Sequence, residues 1–231
     1  MITFVFMELI NKLKSIFNVE STTELTVNTE YGFSINWIKP TKKNPNHIIF
    51  TSGLSDSEQL GAEKYPELAY IELYICLPEY WNVEDLTTDS QWPINWLNRI
   101  AELPKKNKTW FGPGDTIPAG NPVKALAPKF DQNHFILAEP IKFRDELKVI
   151  NCESKDVSFL SLIPIFEAEM LHKTKNSAKV LLSKYTHNNL TEEIDEYRTS
   201  IIKNSKFNIF MMVIIGLCLA VGLTIAFKLF V

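Results

Sequence analysis

From Ala69 to Leu77 apolar and polar positions alternate, with Ala69, Ile71, Leu73, Ile75 and Leu77 interleaved with Tyr70, Glu72, Tyr74 and Cys76. A period of two predicts a strand with two unequal faces, and Pro78 ends it. Shorter β-type runs precede it at Glu24 to Thr29, Phe33 to Ile38 and His47 to Thr51, separated by Gly32 and the Pro/Asn-rich Lys39 to Asn46. These predict antiparallel strands. Two further candidates are Phe135 to Ala138 and Val157 to Ile165, where Pro164 marks an end or an edge position. Elsewhere the period is helical. Phe6, Ile10, Leu13 and Phe17 predict an opening amphipathic helix packed on the domain. Trp92-Pro93 opens a second helix, with Pro in its first turn and a stripe of Ile94, Leu97, Ile100 and Ala101 running to Pro104. A third stretch runs from Glu167 to about Tyr185. Asn189 with Glu192 then reads as a capping box for a last helix carrying Leu190, Ile194, Tyr197 and Ile201. The pattern predicts mainly antiparallel strands with packed helices.

One segment breaks with this pattern. Phe207 to Phe227 carries no charge, and as a helix it would be about 32 Å long, the thickness of a bilayer core. The expectation is one C-terminal transmembrane helix acting as a tail anchor over 207–231, joined by a helical stalk over 189–206 to a domain over 1–188. No signal peptide is evident at the start, which lacks a basic n-region and carries Glu8 early. The expected location is therefore a single-pass membrane protein with its N-terminal domain facing the cytoplasm.

Composition narrows the chemistry. With 45% hydrophobic and 12% aromatic residues in 231, the chain is not disordered. Its 24 Lys+Arg against 27 Asp+Glu give a net charge of -3, so the basic field that binds nucleic acid is missing. Cys76, Cys152 and Cys218 are too widely separated for a disulfide framework or a zinc site, and His47, His134, His172 and His187 show no ligand spacing. No metal and no cofactor is expected. Gly112-Pro113-Gly114-Asp115 lacks the lysine of a phosphate loop, and Asp115 would repel phosphate. No nucleophile elbow is present, and Cys76 sits mid-strand between Ile75 and Leu77.

The stretch TWFGPGDTIPAGNP, Thr109 to Pro122, is too rich in Gly and Pro for a regular element and too aromatic for a solvated linker. Trp110, Phe111 and Ile117 are its expected anchors. Gly112, Pro113, Gly114 and Asp115 are the candidate partner-binding rim, with Asp115 accepting hydrogen bonds from a basic partner.

Taken in order, YIELYICLPEYW (Tyr70 to Trp81), WPINWLNRIAELP (Trp92 to Pro104), KTWFGPGDTIPAGNP (Lys108 to Pro122) and VSFLSLIPIFEAEM (Val157 to Met170) resemble the suppressor of fused family, most closely its bacterial single-domain members. The resemblance covers about 32–185. It implies a mixed α+β domain that binds protein and is not an enzyme. Animal members sequester a transcription factor with this domain and a second one. Bacterial members resemble immunity proteins of polymorphic toxin systems, which implies stoichiometric neutralisation of a cognate toxin. Two rival readings are a membrane-tethered scaffold or regulator binding an endogenous protein, and an unrecognised hydrolase built on Asp115 and His134.

Overall fold

The computed structural model describes residues 2–202. Its strands are β1 (Thr23–Asn28), β2 (Phe33–Ile38), β3 (Asn46–Ser52), β4 (Ile71–Pro78), β5 (Thr116–Pro118), β6 (His134–Ala138), β7 (Val149–Asn151) and β8 (Asp156–Ile165). They form one sheet in the order β1-β2-β3-β4-β8-β6-β5, with β7 pairing β8 off that path. All pairs are antiparallel except β4 and β8, which run parallel from Ile71↔Ser158 to Tyr74↔Ser161. The helices are α1 (Ile2–Phe17), α2 (Thr88–Asn107), the short α3 (Arg144–Leu147), α4 (Glu167–Lys175) and α5 (Ala178–His187).

The alternation along β4 explains why the fold has three layers. Ile71, Leu73, Ile75 and Leu77 face one way and pack into a core with Leu97, Ile100 and Ala101 of α2. Tyr74 and Cys76 face the other way, with Leu9, Leu13 and Phe17 of α1 and Leu147 of α3. Further along that second face, Ile136 of β6 and Ile163 and Ile165 of β8 pack against Leu181 and Tyr185 of α5. All eight residues of β4 are therefore buried. Its two faces differ in chemistry and not in exposure. Glu72, on the second face, accepts hydrogen bonds from Thr51 Oγ1 (2.6 Å), Gly53 N (2.9 Å), Ser55 N (3.0 Å) and Ser55 Oγ (2.7 Å). Such donors are what a carboxylate without water requires.

Several expectations are corrected. Helix α2 begins at Thr88, so Pro93 lies inside it and not at its opening, and the helix continues past Pro104 to Asn107. Each proline removes one helical hydrogen bond, and the buried apolar stripe holds the helix regardless. The third helical stretch is two helices, because Ser177 caps α5 by accepting from Val180 N (3.2 Å). Pro164, by contrast, falls as expected next to the end of β8, opposite Phe135 of β6 and beyond the parallel pairing with β4, so no ladder bond is lost.

The helical stalk expected over 189–206 is not present across its described part, 189–202. Asn189 takes a left-handed φ of 57°, and the segment after it is an extended strap. Glu192 caps no helix. It is fully buried and accepts from Tyr74 Oη (2.9 Å) and from the backbone N–H groups of Ile141 (3.1 Å), Lys142 (2.7 Å) and Phe143 (3.1 Å). Glu193 bridges Cys76 of β4 in parallel, and Ile194 N donates to Cys76 O (2.9 Å). Tertiary hydrogen bonds thus override the helical periodicity.

The single-pass membrane location is also corrected: among the described residues no helix is long and apolar enough to cross a membrane. The span expected over Phe207 to Phe227 lies outside the described residues.

Candidate functional site

The Gly/Pro-rich segment between α2 and β6 is an ordered loop held from three sides. Lys108 ends α2 in a left-handed conformation (φ 50°), and its N–H and that of Thr109 (3.1 Å) both donate to Pro104 O, which turns the chain off the helix. Gln59 then clamps the next residues. Its Oε1 accepts from Phe111 N (2.8 Å), and its Nε2 donates to Phe111 O (3.1 Å) and Leu68 O (2.9 Å). On the far side Gly114 N donates to Leu137 O (2.7 Å), and Leu137 N donates to Asp115 O (2.8 Å). Beyond that, β5 pairs with β6.

The aromatic anchors divide their roles. Phe111 is buried in the α2 core, and Ile117 packs against it from a partly buried position. Trp110 is only partly buried. Its ring stacks on exposed Tyr65 with centroids 4.9 Å apart and planes 8° from parallel, so it forms a surface platform. Gly112 lies under that platform, since a Cβ there would come within 2.8 Å of the Trp110 ring. Gly114 has φ +98°, and a Cβ on it would meet Ala178 Cβ at 2.7 Å. Glycine is required at this crossing of loop and α5.

Pro113 is exposed at the tip. Asp115 is partly buried and turned back on its own loop: Oδ2 accepts from Gly112 N (2.8 Å), while Asp115 N donates to Gly112 O (3.1 Å). Oδ1 accepts no hydrogen bond among the described residues. The loop is therefore ordered at its tip, with one Asp115 carboxylate oxygen turned inward onto its own backbone. The structure does not bring Asp115 and His134 together. His134 pairs with Pro118 and Asp115 meets Leu137, three residues further along β6, a separation of about 10 Å. His134 is buried, its Nδ1 lies 2.7 Å from Asn133 Oδ1, and burial lowers its pKa. Burial first, then Glu192 and Glu193, push the Cys76 thiol well above its ordinary range, the opposite of what a nucleophile needs. Among the described residues no group of three or more His, Cys, Asp or Glu side chains could hold a metal ion.

Gln59 and Tyr65, which complete this surface, carry no signal in the sequence. Both lie in a stretch of turns and short 310 helices between β3 and β4, more than 40 residues from the loop they contact.

The α+β domain thus carries an ordered loop and a stacked aromatic platform on its surface. The family model for suppressor of fused protein matches residues 29–199, and the chain belongs to that family. No curated protein matches it. Among solved structures, a protein from Neisseria gonorrhoeae FA 1090 described as a suppressor of fused homologue superposes with a TM-score of 0.65 at 17% identity, covering 87% of this chain and 99% of that one. The Sufu-Fu complex gives a TM-score of 0.58 at 15% identity, over 85% of this chain and 91% of that one. Drosophila Suppressor of Fused gives 0.59 at 15% identity, over 92% of this chain and 53% of that one. At these identities the likeness is one of fold. α1 and β1 lie before the family match, and the strap up to Thr199 lies within it.

Proposed function

We propose that this chain is a non-catalytic protein-binding module, and that its partner docks on the Trp110 to Asp115 loop and the Tyr65–Trp110 platform. The observation that carries the reading is the clamp: Gln59 and Leu137 fix the loop backbone on both sides while Pro113, Tyr65 and part of Trp110 face solvent. A prepaid loop loses little entropy on binding, and rigid aromatics supply contact area. The free Asp115 Oδ1 suits a lysine, arginine or backbone donor of the partner. Family membership supports the reading, as does a neighbour in fold that was crystallised as the Sufu-Fu complex.

The more particular role is that of an immunity protein that neutralises a cognate polymorphic toxin by stoichiometric binding, as the sequence resemblance implies. The test is titration of a candidate toxin, sought among the genes beside this one, with the purified chain. Toxin activity should fall linearly to an end point at a fixed molar ratio, and Trp110→Ala should weaken binding about tenfold with little change in melting temperature. Abolition of activity by substoichiometric protein, with covalent change in the toxin, would reject the binding reading in favour of catalysis.

A further inference from the structure

A second surface lies at the opposite end of α2, whose 20 residues span about 30 Å. There the turn after β4 and the strap place two tyrosines in solvent, Tyr80 at 63% exposure and Tyr197 at 80%. Neither stands on loose backbone. Tyr80 precedes Trp81, which is buried edge-on against Trp92 and donates from Nε1 to Ser90 O (3.0 Å). Tyr197 sits between buried Ile194 and Arg198, whose guanidinium pairs with Glu169, and its N–H donates to Asp195 Oδ1 (2.9 Å). Both tyrosines line two adjoining cavities. One, of about 400 Å³, has Trp81, Ala127 and Phe130 in its wall. The other, of about 570 Å³, is lined by Leu190 and Ile194.

The charge of this cleft has one sign to spare. Lys129 is paired with Asp89 (3.0 Å) and Lys142 with Glu193 (2.8 Å). Asp195 and Glu196 make no ion pair among the described residues. Their field reaches the phenols: Tyr80 titrates above its ordinary value through burial and then Glu196, and Tyr197 does so through Glu196.

We propose that this cleft binds an extended segment of a partner protein in which lysine or arginine alternates with bulky apolar residues. In an extended chain, residues two apart point the same way about 7 Å from each other, so apolar side chains can enter the cavities on either side of the tyrosines. The intervening cations leave on the other face of the strand, and their long flexible stems reach back over the rim to Asp195 and Glu196 or over the tyrosine rings. The inference rests on the protein-binding reading and adds a surface to it that is independent of the loop.

The probes are fluorescein-labelled peptides of about eight residues repeating Lys-Leu, Lys-Ser or Glu-Leu, titrated with the full chain at about 0.15 M salt and read by fluorescence polarisation. Lys-Leu should bind, Lys-Ser about tenfold more weakly, and Glu-Leu not at all. Tyr80→Ser with Tyr197→Ser, and separately Glu196→Lys, should each weaken Lys-Leu about tenfold, while Trp110→Ala and the distant control Glu30→Lys should not. The tyrosines are exposed, and an unchanged thermal melt verifies that the variants fold. Equal binding of Lys-Leu and Lys-Ser, no binding of Lys-Leu, or indifference to the tyrosine pair would overturn the proposal. If the toxin complex still forms and is lost in Trp110→Ala while the peptides fail, the cleft is refuted and the loop stands. Peptide binding as expected, with a toxin complex insensitive to Trp110→Ala, refutes the loop and keeps the cleft.

Discussion

Gly114 is the residue at which the Gly/Pro-rich loop, β6 and α5 converge, and its left-handed φ of +98° is open only to glycine at low cost. Gly114→Ala should destabilise the domain by about 1–3 kcal/mol, from backbone strain together with the contact against Ala178. A urea midpoint equal to that of the wild type would show that the loop is not fixed there. His47 sets a different constraint. Trp37 Nε1 donates to His47 Nδ1 (2.9 Å), so Nδ1 must be free of a proton, and Nε2 then donates to Glu79 O (3.2 Å). Burial lowers its pKa below 6.5. Between that depressed value and 6.5 the unfolded chain binds more protons here than the folded one, so this contribution is complete above 6.5 and is lost as pH falls through the folded value. The urea-midpoint gap between the wild type and His47→Gln should therefore be wider at about pH 7.5 than at about pH 5.

The strap after α5 is held by a buried ion pair. Arg198 Nη1 and Nη2 meet Glu169 Oε1 (2.7 Å) and Oε2 (2.8 Å), Nη2 also donates to Pro164 O (2.7 Å), and Tyr185 Oη donates to Glu169 Oε2 (2.9 Å). Removing one partner strands the other charge, so Arg198→Ala should cost about 3–5 kcal/mol, read as a lowered thermal midpoint. Truncation after Asn188 should be worse, since it also removes Glu192 and Ile194 from the core. The sequence made some of this legible and not the rest. Apolar, β-type runs located β2 to its residue and β3, β4, β6 and β8 to within two, because strands covered on both faces are apolar along nearly their whole length. The strap misled because Leu190, Ile194, Tyr197 and Ile201 do fall at helical spacing, and a carboxylate whose donors come from residues 74 and 141–143 leaves no local trace. For the same reason the Gly/Pro loop was recognisable as an ordered loop, while the residue that clamps it, Gln59, was not.

Over the whole molecule α2 is the beam that carries both proposed surfaces, with Ser90 O bonded to the Trp81 indole near one end and Lys108 at the root of the loop. Leu97 lies at its middle, fully buried against the aliphatic face of β4. Leu97→Ala should cost about 2–5 kcal/mol, and hydrogen exchange should accelerate at both ends, at the Gly114 amide and at the Trp81 indole. Faster exchange at one end alone would mean that the surfaces are supported separately. The strap has a further consequence, for the order in which the protein matures. Glu192 finds its donors 50 residues earlier in the chain and Ile194 docks on Cys76, so β4 can pair with β3 and β8 long before its open end is covered. During synthesis from the N-terminus, a nascent chain that stops before Glu193 leaves the open end of β4 bare, and one that stops before Arg198 leaves Glu169 with no cation. That interval is when the polypeptide is most open to mispairing, and emergence of Arg198 closes it.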